Sequence, residues 1–217
     1  GLNSFNMDLM HGLPGQSVED ALSDLRKVIA LNPPHLSWYQ LTIEPNTQFA
    51  SKPPVLPEDD TLWDIQEQGQ KLLAEAGYEH YEISGYAKPG YQCKHNLNYW
   101  RFGDYLGIGC GAHGKITQPE HSGILRTVKV KHPRGYMDLS KPYLYESWQV
   151  EKEDRPFEFF MNQFRLRESC NKQQFTDYSG LPLNEIEAAI NTALEKELIE
   201  DLGHSWLVTN KGHRFLN

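Results

Sequence analysis

The stretch that decides the fold is Phe5-Asn6-Met7-Asp8-Leu9-Met10-His11-Gly12-Leu13-Pro14-Gly15-Gln16. Apolar side chains occupy every second position at Phe5, Met7 and Leu9, and a period of two indicates a β-strand. Asn6 and Asp8 then share the other face of the strand, and the glycine- and proline-rich residues that follow end it in a loop. The stretch therefore predicts a strand with one apolar and one polar face.

Strands and helices alternate from this stretch to about residue 84. A helix is expected at 18–29, because Ser17 can cap its first turn and Asn32-Pro33-Pro34 stops it. The other expected elements are a strand at 36–42, a proline-rich loop at 44–57, a helix at 59–76 and a strand at 81–84. Repeats of this kind build a parallel sheet with right-handed crossovers.

The polar faces of the first and third strands decide between two kinds of parallel sheet. Asn6 and Asp8 share a face of the first strand, and Glu82 and Ser84 share a face of the third. Helices cover both faces of an open doubly wound sheet, whereas the interior mouth of a (β/α) barrel carries polar site residues. The pattern favours an α/β fold in which parallel strands form part of a (β/α) barrel; a partly exposed open-sheet edge is the alternative.

The pattern changes at about residue 150. Before it, a loop is expected at 85–99, a strand at 105–109 and an alternating segment at 124–131. After it, helices at 157–168, 171–178 and 183–195 precede a hairpin around Gly203 and a last helix from residue 210. This order predicts two domains, 1–150 and 151–217, the second a small α+β winged-helix-like domain. Residues 153–217 carry 11 acidic and 7 basic side chains, which indicates a packing or lid module rather than a DNA-binding one.

Composition excludes several classes of protein. The 217 residues include 29 acidic and 21 basic ones, and a net charge of -8 disfavours nucleic-acid binding. The mean hydropathy is -0.62 with no long apolar run, so insertion in a membrane is not expected. The chain opens on no signal-peptide pattern, and a cytoplasmic setting is expected. Cys93, Cys110 and Cys170 have neither disulfide nor metal-site spacing, which predicts three reduced thiols.

Three stretches carry a resemblance to a known family. They are Asp8 to Gln16, Tyr81-Glu82-Ile83-Ser84, and His95-Asn96-Leu97-Asn98-Tyr99-Trp100 with the glycine-rich segment from Tyr105 to Gly114. Together they resemble the radical S-adenosylmethionine family of oxygen-independent coproporphyrinogen III oxidases. The H-N-x-x-Y-W element is similar to the haem-chaperone branch of that family (HemW) rather than to the oxidase branch (HemN), and the resemblance runs over nearly the whole chain.

The family's C-x-x-x-C-x-x-C cluster motif has no match in this sequence. The resemblance therefore implies the C-terminal part of a radical S-adenosylmethionine barrel, with the [4Fe–4S] cluster held by an N-terminal part outside this chain. The first residue is not Met, and the chain is expected to be cut from a longer protein just before a strand. Alone, the fragment is expected to be catalytically inactive, and its catalytic residues are unknown.

The resemblance also implies two sets of ligand-binding residues. Asp8, Thr42 and His113 match positions at the S-adenosylmethionine site, and a carboxylate suits an ammonium group or ribose hydroxyls. His95 is a candidate haem-iron ligand, with Asn96, Tyr99 and Trp100 beside it for the porphyrin. The alternatives are that Asp8 and His113 only satisfy local hydrogen bonds and that the H-N-x-x-Y-W element only caps a loop and packs. Basic residues that suit haem propionates, or that only keep a strand edge soluble, are Arg126, Lys129, Lys131 and Arg134.

These implications favour a haem chaperone that binds S-adenosylmethionine and haem and passes haem to an unidentified acceptor protein. The alternatives are the matching part of a coproporphyrinogen III oxidase, which decarboxylates its substrate oxidatively in porphyrin biosynthesis, and an isolated winged-helix regulator. The expected partners are haem or porphyrin, without nucleic acid. Since the first strand would lose its upstream neighbour, the fragment itself is expected to self-associate.

Overall fold

The structure, a computed structural model, describes residues 2–118 and 123–216. The chain divides into two compact units, residues 1–93 and residues 94–217. Within the described residues, no helix combines the length and the apolar character needed to cross a membrane.

The first unit is a four-stranded sheet covered by helices. Its elements are β1 (Asn6–His11), α1 (Val18–Ala30), β2 (His35–Gln40), α2 (Gln48–Ser51), α3 (Asp59–Glu75), β3 (Glu79–Glu82) and β4 (Gly85–Ala87). The strand order is β1-β2-β4-β3, and β1 runs parallel to β2. The expected all-parallel sheet is wrong at one place, because β4 is antiparallel to both β2 and β3. β4 has only three residues, too few for periodicity to reveal, and it folds back from β3 as a hairpin.

The core of the first unit lies between the sheet and the helices α1 and α3. Leu25 of α1, Leu36 and Trp38 of β2, and Ile65 and Leu73 of α3 are each at most 2% exposed. Burying such side chains stabilises a fold by about 1.5–3 kcal/mol each. Ser17 caps α1 as the sequence predicts, so this helix begins where expected, and Asp20 completes a capping box with Ser17.

The second unit combines two small antiparallel sheets with helices. Its elements are α4 (Lys94–Trp100), β5 (His113–Gln118), β6 (Gly123–Lys129), α5 (Pro133–Tyr136), β7 (Leu144–Gln149), α6 (Arg155–Gln163), β8 (Cys170–Asn171), α7 (Lys172–Ser179), a 3-10 helix (Leu183–Ile186), α8 (Glu187–Glu195), β9 (Ile199–Asp201), β10 (Ser205–Val208) and α9 (Asn210–His213). The strand orders are β5-β6-β7 and β8-β10-β9.

The expected strand at 105–109 is wrong. Within it, Tyr105 alone forms a bridge, to Lys115, and the flanking Leu106 is 74% exposed. Gly109 has a φ of +110°, which takes the backbone out of an extended conformation. The extended structure of this region is the β5-β6-β7 sheet, which the sequence pattern predicts only at β6.

The C-terminal part follows the expected order of three helical segments and a hairpin. Phe159 of α6, Phe175 of α7 and Trp206 of β10 form its core, each at most 3% exposed. Phe102 and Ile124, from before residue 150, belong to the same core. The compact unit begins at residue 94. The domain boundary predicted at residue 150 therefore stays a prediction.

Candidate functional site

The polar face of the first unit presents Asp8, as the strand alternation predicts. Asp8 is exposed on β1 and lies opposite Ser37 of β2. Asn6, two residues earlier on the same face, donates from Nδ2 to Asp8 Oδ1 over 2.8 Å. The carboxylate is therefore accessible to a ligand and is at the same time held by a neighbouring amide.

A buried histidine, His35, contacts Asn6 of this pair. His35 is opposite Asn6 in the β1–β2 register, and its Nδ1 lies 2.6 Å from Asn6 Oδ1. Its other nitrogen, Nε2, lies 2.7 Å from the Tyr81 hydroxyl of β3. Burial lowers the pKa of His35 although Asp8 raises it, and burial raises the pKa of Tyr81 to about 12. Both groups are thus neutral near pH 7.

The loop after β1 is closed by Gln16. Its Oε1 accepts from the backbone nitrogens of Gly12, at 2.8 Å, and of Leu13, at 3.2 Å. Gly12 has a φ of +73°, and a Cβ there would lie 2.9 Å from the Leu62 side chain, so this position requires glycine. The glycines and the proline predict the loop from the sequence. They do not predict that Gln16 accepts hydrogen bonds from the loop backbone, because glutamine occurs in many structural settings.

Thr42, the second predicted contact to S-adenosylmethionine, lies in the loop that follows β2. It is exposed, and its hydroxyl donates to Glu44 Oε1 over 3.2 Å. The backbone just before it is tied to β1, since Leu41 N donates to His11 O over 2.8 Å. Thr42 therefore follows a well-held strand end, and its hydroxyl has a partner within the loop.

The H-N-x-x-Y-W element forms the short helix α4 of the second unit. Leu97 is buried and anchors the helix, while His95 is exposed. His95 and Tyr99 are four residues apart, so they share a helix face, and their ring centroids lie 4.8 Å apart at 68°. The structure thus brings the predicted iron ligand and one predicted aromatic residue together.

Tyr105 extends this pair to a row of three rings. Its ring centroid lies 4.3 Å from that of Tyr99, and its hydroxyl accepts from Arg126 Nη1 over 2.9 Å. Arg126 in turn is paired with Glu158. Glu158 offsets the charge of Arg126, which weakens the expectation that this arginine holds a propionate. Tyr105 was missed as a site residue because the sequence pattern placed it in a strand.

Trp100 and Asn96 lie elsewhere around α4. The guanidinium of Arg165 covers the Trp100 ring, 4.4 Å from its centroid. Trp100 and Asn96 are both half-buried. Trp100 thus already has a cation on its ring. Of His95, Asn96, Tyr99 and Trp100, only His95 is exposed.

His113 is exposed at the start of β5, opposite Val128 of β6. Its backbone lies against Gly107, where a Cβ would approach His113 O to 2.3 Å. The glycine therefore permits a close backbone approach, as the glycine-rich pattern predicts. Nothing in these contacts ties the imidazole to a ligand.

The three cysteines are free thiols, as predicted. Cys170 is buried, and burial raises the pKa of its thiol to about 12, which disfavours the thiolate that a metal needs. The described residues contain no group of three His, Cys, Asp or Glu side chains placed to hold a metal ion. The cysteines, all of which are among the described residues, therefore do not fit an iron–sulfur cluster.

Comparisons with known proteins show which domain family and which relatives the chain is similar to. Residues 150–215 match the HemN C-terminal domain. The chain is 61% identical over all 217 residues to "Heme chaperone HemW" of Haemophilus influenzae, and 60% identical to the protein of that name from Escherichia coli K12. It spans 56% and 57%, respectively, of the length of these two relatives.

The fold is similar to a solved structure, coproporphyrinogen III oxidase (HemN) from Escherichia coli, which is described as a radical SAM enzyme. The TM-score is 0.75, and the match covers 100% of this chain and 54% of that one. The sequences are 19% identical, so this likeness shows a shared mixed α/β fold and nothing about activity.

Proposed function

Since the chain belongs to the HemW family, we propose that it supplies the haem-binding residues, and part of the S-adenosylmethionine site, of a haem chaperone. The relatives that are 60% and 61% identical over the whole chain carry the chaperone name, whereas the oxidase resembles the chain at 19% identity. This difference favours the chaperone over the oxidase.

The observation that carries the proposal is the exposed His95 imidazole at one end of the ring row Tyr99–Tyr105. Imidazole nitrogen is a common axial ligand of haem iron, and flat aromatic rings suit the porphyrin. The residues present thus fit haem, which is the cargo of a chaperone. In this proposal His95 binds the iron, and Tyr99 and Tyr105 support the imidazole and contact the porphyrin edge.

Asp8 carries the second part of the proposal. S-adenosylmethionine has an ammonium group and ribose hydroxyls, and an exposed carboxylate oriented by Asn6 suits either. Thr42 and His113 are retained as candidate contacts. The [4Fe–4S] cluster belongs to the proposal only as a group bound outside these 217 residues, because no cysteine here fits it.

The finer features of fold and setting belong to the same proposal. The first unit is proposed to be part of a radical S-adenosylmethionine (β/α) barrel, and residues 151–217 a winged-helix-like domain; the parallel β1–β2 pair and the helix–hairpin order support these assignments. The chaperone is proposed to deliver haem to an acceptor protein and to act in the cytoplasm.

Two assays on a protein of the relatives' full length that includes this chain separate the chaperone from the oxidase. A chaperone is expected to give a Soret band on addition of haem and to leave coproporphyrinogen III unchanged under anaerobic, reducing conditions with S-adenosylmethionine. Decarboxylation without stable haem binding would contradict the proposal and support the oxidase.

A further inference from the structure

We propose that Asn6 and His35 are positioning residues that orient the Asp8 carboxylate for its ligand, through a row of hydrogen bonds that begins at Tyr81. The inference rests on the proposed role of Asp8 in binding S-adenosylmethionine. It gives a role to Asn6, which the sequence places only on the polar face of the first strand, and it adds His35, which no sequence pattern indicates.

The direction of the row follows from the buried Tyr81 hydroxyl. Its oxygen accepts from the backbone nitrogen of Cys93 over 3.2 Å, and its own proton needs an acceptor because the group is buried. His35 Nε2, 2.7 Å away, is that acceptor. Because the buried imidazole is neutral, its one proton is on Nδ1. The row therefore selects one tautomer of His35.

That tautomer determines how the Asn6 amide is turned. His35 Nδ1 donates to Asn6 Oδ1 over 2.6 Å, and Ser37 Oγ donates to the same oxygen over 3.2 Å. With its oxygen held by two donors, the amide presents its nitrogen to Asp8 Oδ1 at 2.8 Å. In a reversed amide, the Asn6 nitrogen, a donor, would face the His35 Nδ1–H, which is also a donor. The Asn6 oxygen would then face the Asp8 carboxylate oxygen, so both contacts would be repulsive.

Burial separates the two ends of the row. His35 is 7% exposed and Tyr81 is 6% exposed, whereas Asn6 and Asp8 lie at the surface. His35 and Tyr81 are buried and cannot replace their hydrogen-bond partners with water, so their positions stay fixed. Asn6 is hydrogen-bonded to His35 and to Asp8, and it therefore restricts the orientation of the carboxylate. A carboxylate that is held before the ligand arrives loses less conformational entropy on binding.

The test is calorimetric titration of S-adenosylmethionine into variants of a protein of the relatives' full length that includes this chain. Asn6→Ala and His35→Leu are each expected to weaken binding about two- to tenfold, the range for one hydrogen bond. His35→Asn, whose amide nitrogen can replace Nδ1, is expected to restore most of the affinity. The matched control is Asn191→Ala, which removes an exposed asparagine of α8 and is expected to bind as the unchanged protein does.

The double variant tests whether His35 acts through Asn6. If it does, Asn6→Ala combined with His35→Leu binds no more weakly than Asn6→Ala alone. Melting temperatures are recorded for each variant, because loss of a buried imidazole also destabilises the fold. Lower melting temperatures with unchanged affinity would show that the row is structural only and would overturn the inference.

Asp8→Asn distinguishes this inference from the proposed function. It is expected to weaken binding by about 10- to 150-fold, as for a hydrogen bond to a charged group. Weak binding by Asp8→Asn with normal binding by Asn6→Ala and His35→Leu would refute the positioning role alone. Normal binding by Asp8→Asn would refute the role of Asp8 in the site, and the positioning role with it.

Discussion

At the scale of single residues, His11 links the stability of the first unit to pH. It ends β1 at 3% exposure, with its ring centroid 4.3 Å from that of Trp38. Burial lowers the pKa of His11 from 6.5 to about 4, so the folded protein keeps the imidazole neutral. The unfolded chain takes up a proton below about pH 6.5. The contribution of His11 is therefore complete above pH 6.5 and is lost as the pH falls toward 4.

We expect a His11→Phe variant to lose less stability in acid than the unchanged protein. From pH 7 to pH 4.5, the unfolding free energy of the unchanged protein should fall by about 2–3 kcal/mol more than that of the His11→Phe variant. Chemical denaturation at a series of pH values measures it. His213, whose pKa burial also lowers to about 4, contributes to both proteins alike and cancels in this difference. If the unfolding free energies of the two proteins changed equally with pH, His11 would take up no proton on unfolding, and the prediction would be wrong.

The sequence predicts only part of the candidate site, and the residues show why. The helical spacing of four places His95 beside Tyr99, and alternation places Asp8 on a polar face, so both are visible locally. His35 and Asn6 are 29 positions apart, and His35 and Tyr81 are 46 apart. Such contacts depend on strand register, which a single sequence does not contain.

At the scale of elements, α3 packs on the sheet through a glycine. A Cβ on Gly69 would lie 2.0 Å from the Trp38 ring, which is buried against the helix. Alanine in a helix is normally more stable than glycine by about 1 kcal/mol. Here we expect the opposite sign: Gly69→Ala should destabilise by about 1–3 kcal/mol, because the ring must move in a packed core.

Urea denaturation of Gly69→Ala measures this change, with Lys71→Ala on the exposed face of the same helix as the control. The control is expected to alter the free energy of unfolding by at most about 0.5 kcal/mol. A stabilised Gly69→Ala variant would mean that helix propensity, and not the contact with Trp38, decides this position.

Long elements are predictable here and short or edge elements are not. β1, α1 and α3 lie within a few residues of their expected bounds, because each has a clear period and the helices have end signals. β4 is too short for a period, and β7 is exposed along its whole length, so it shows no buried face. β7 was missed for that reason.

At the scale of the whole molecule, β1 lies at one edge of the four-stranded sheet, beside β2. Phe5, just before it, is 37% exposed, and Leu2 is 81% exposed. An edge strand next to apolar side chains is a template for pairing with another chain. The 217-residue chain by itself is therefore expected to self-associate or to bind a hydrophobic dye. Light scattering measures this, and a monomer that binds no dye would argue that this edge is protected.

The central claim at this scale is that the α4 region of the second unit binds haem through His95. The claim joins the similarity to the two relatives to an observation on the molecule, the exposed imidazole beside Tyr99 and Tyr105. A mutation of one exposed residue can test it without disturbing the core.

The most direct measurement is a haem titration of His95→Ala, followed by the Soret band, in a protein of the relatives' full length that includes this chain. The control is His204→Ala, which removes an exposed imidazole from the β9–β10 hairpin of the same unit. We predict that His95→Ala loses most of the haem binding while its iron–sulfur content is unchanged, and that the control binds normally. A Soret band of unchanged strength and position in His95→Ala would contradict the claim.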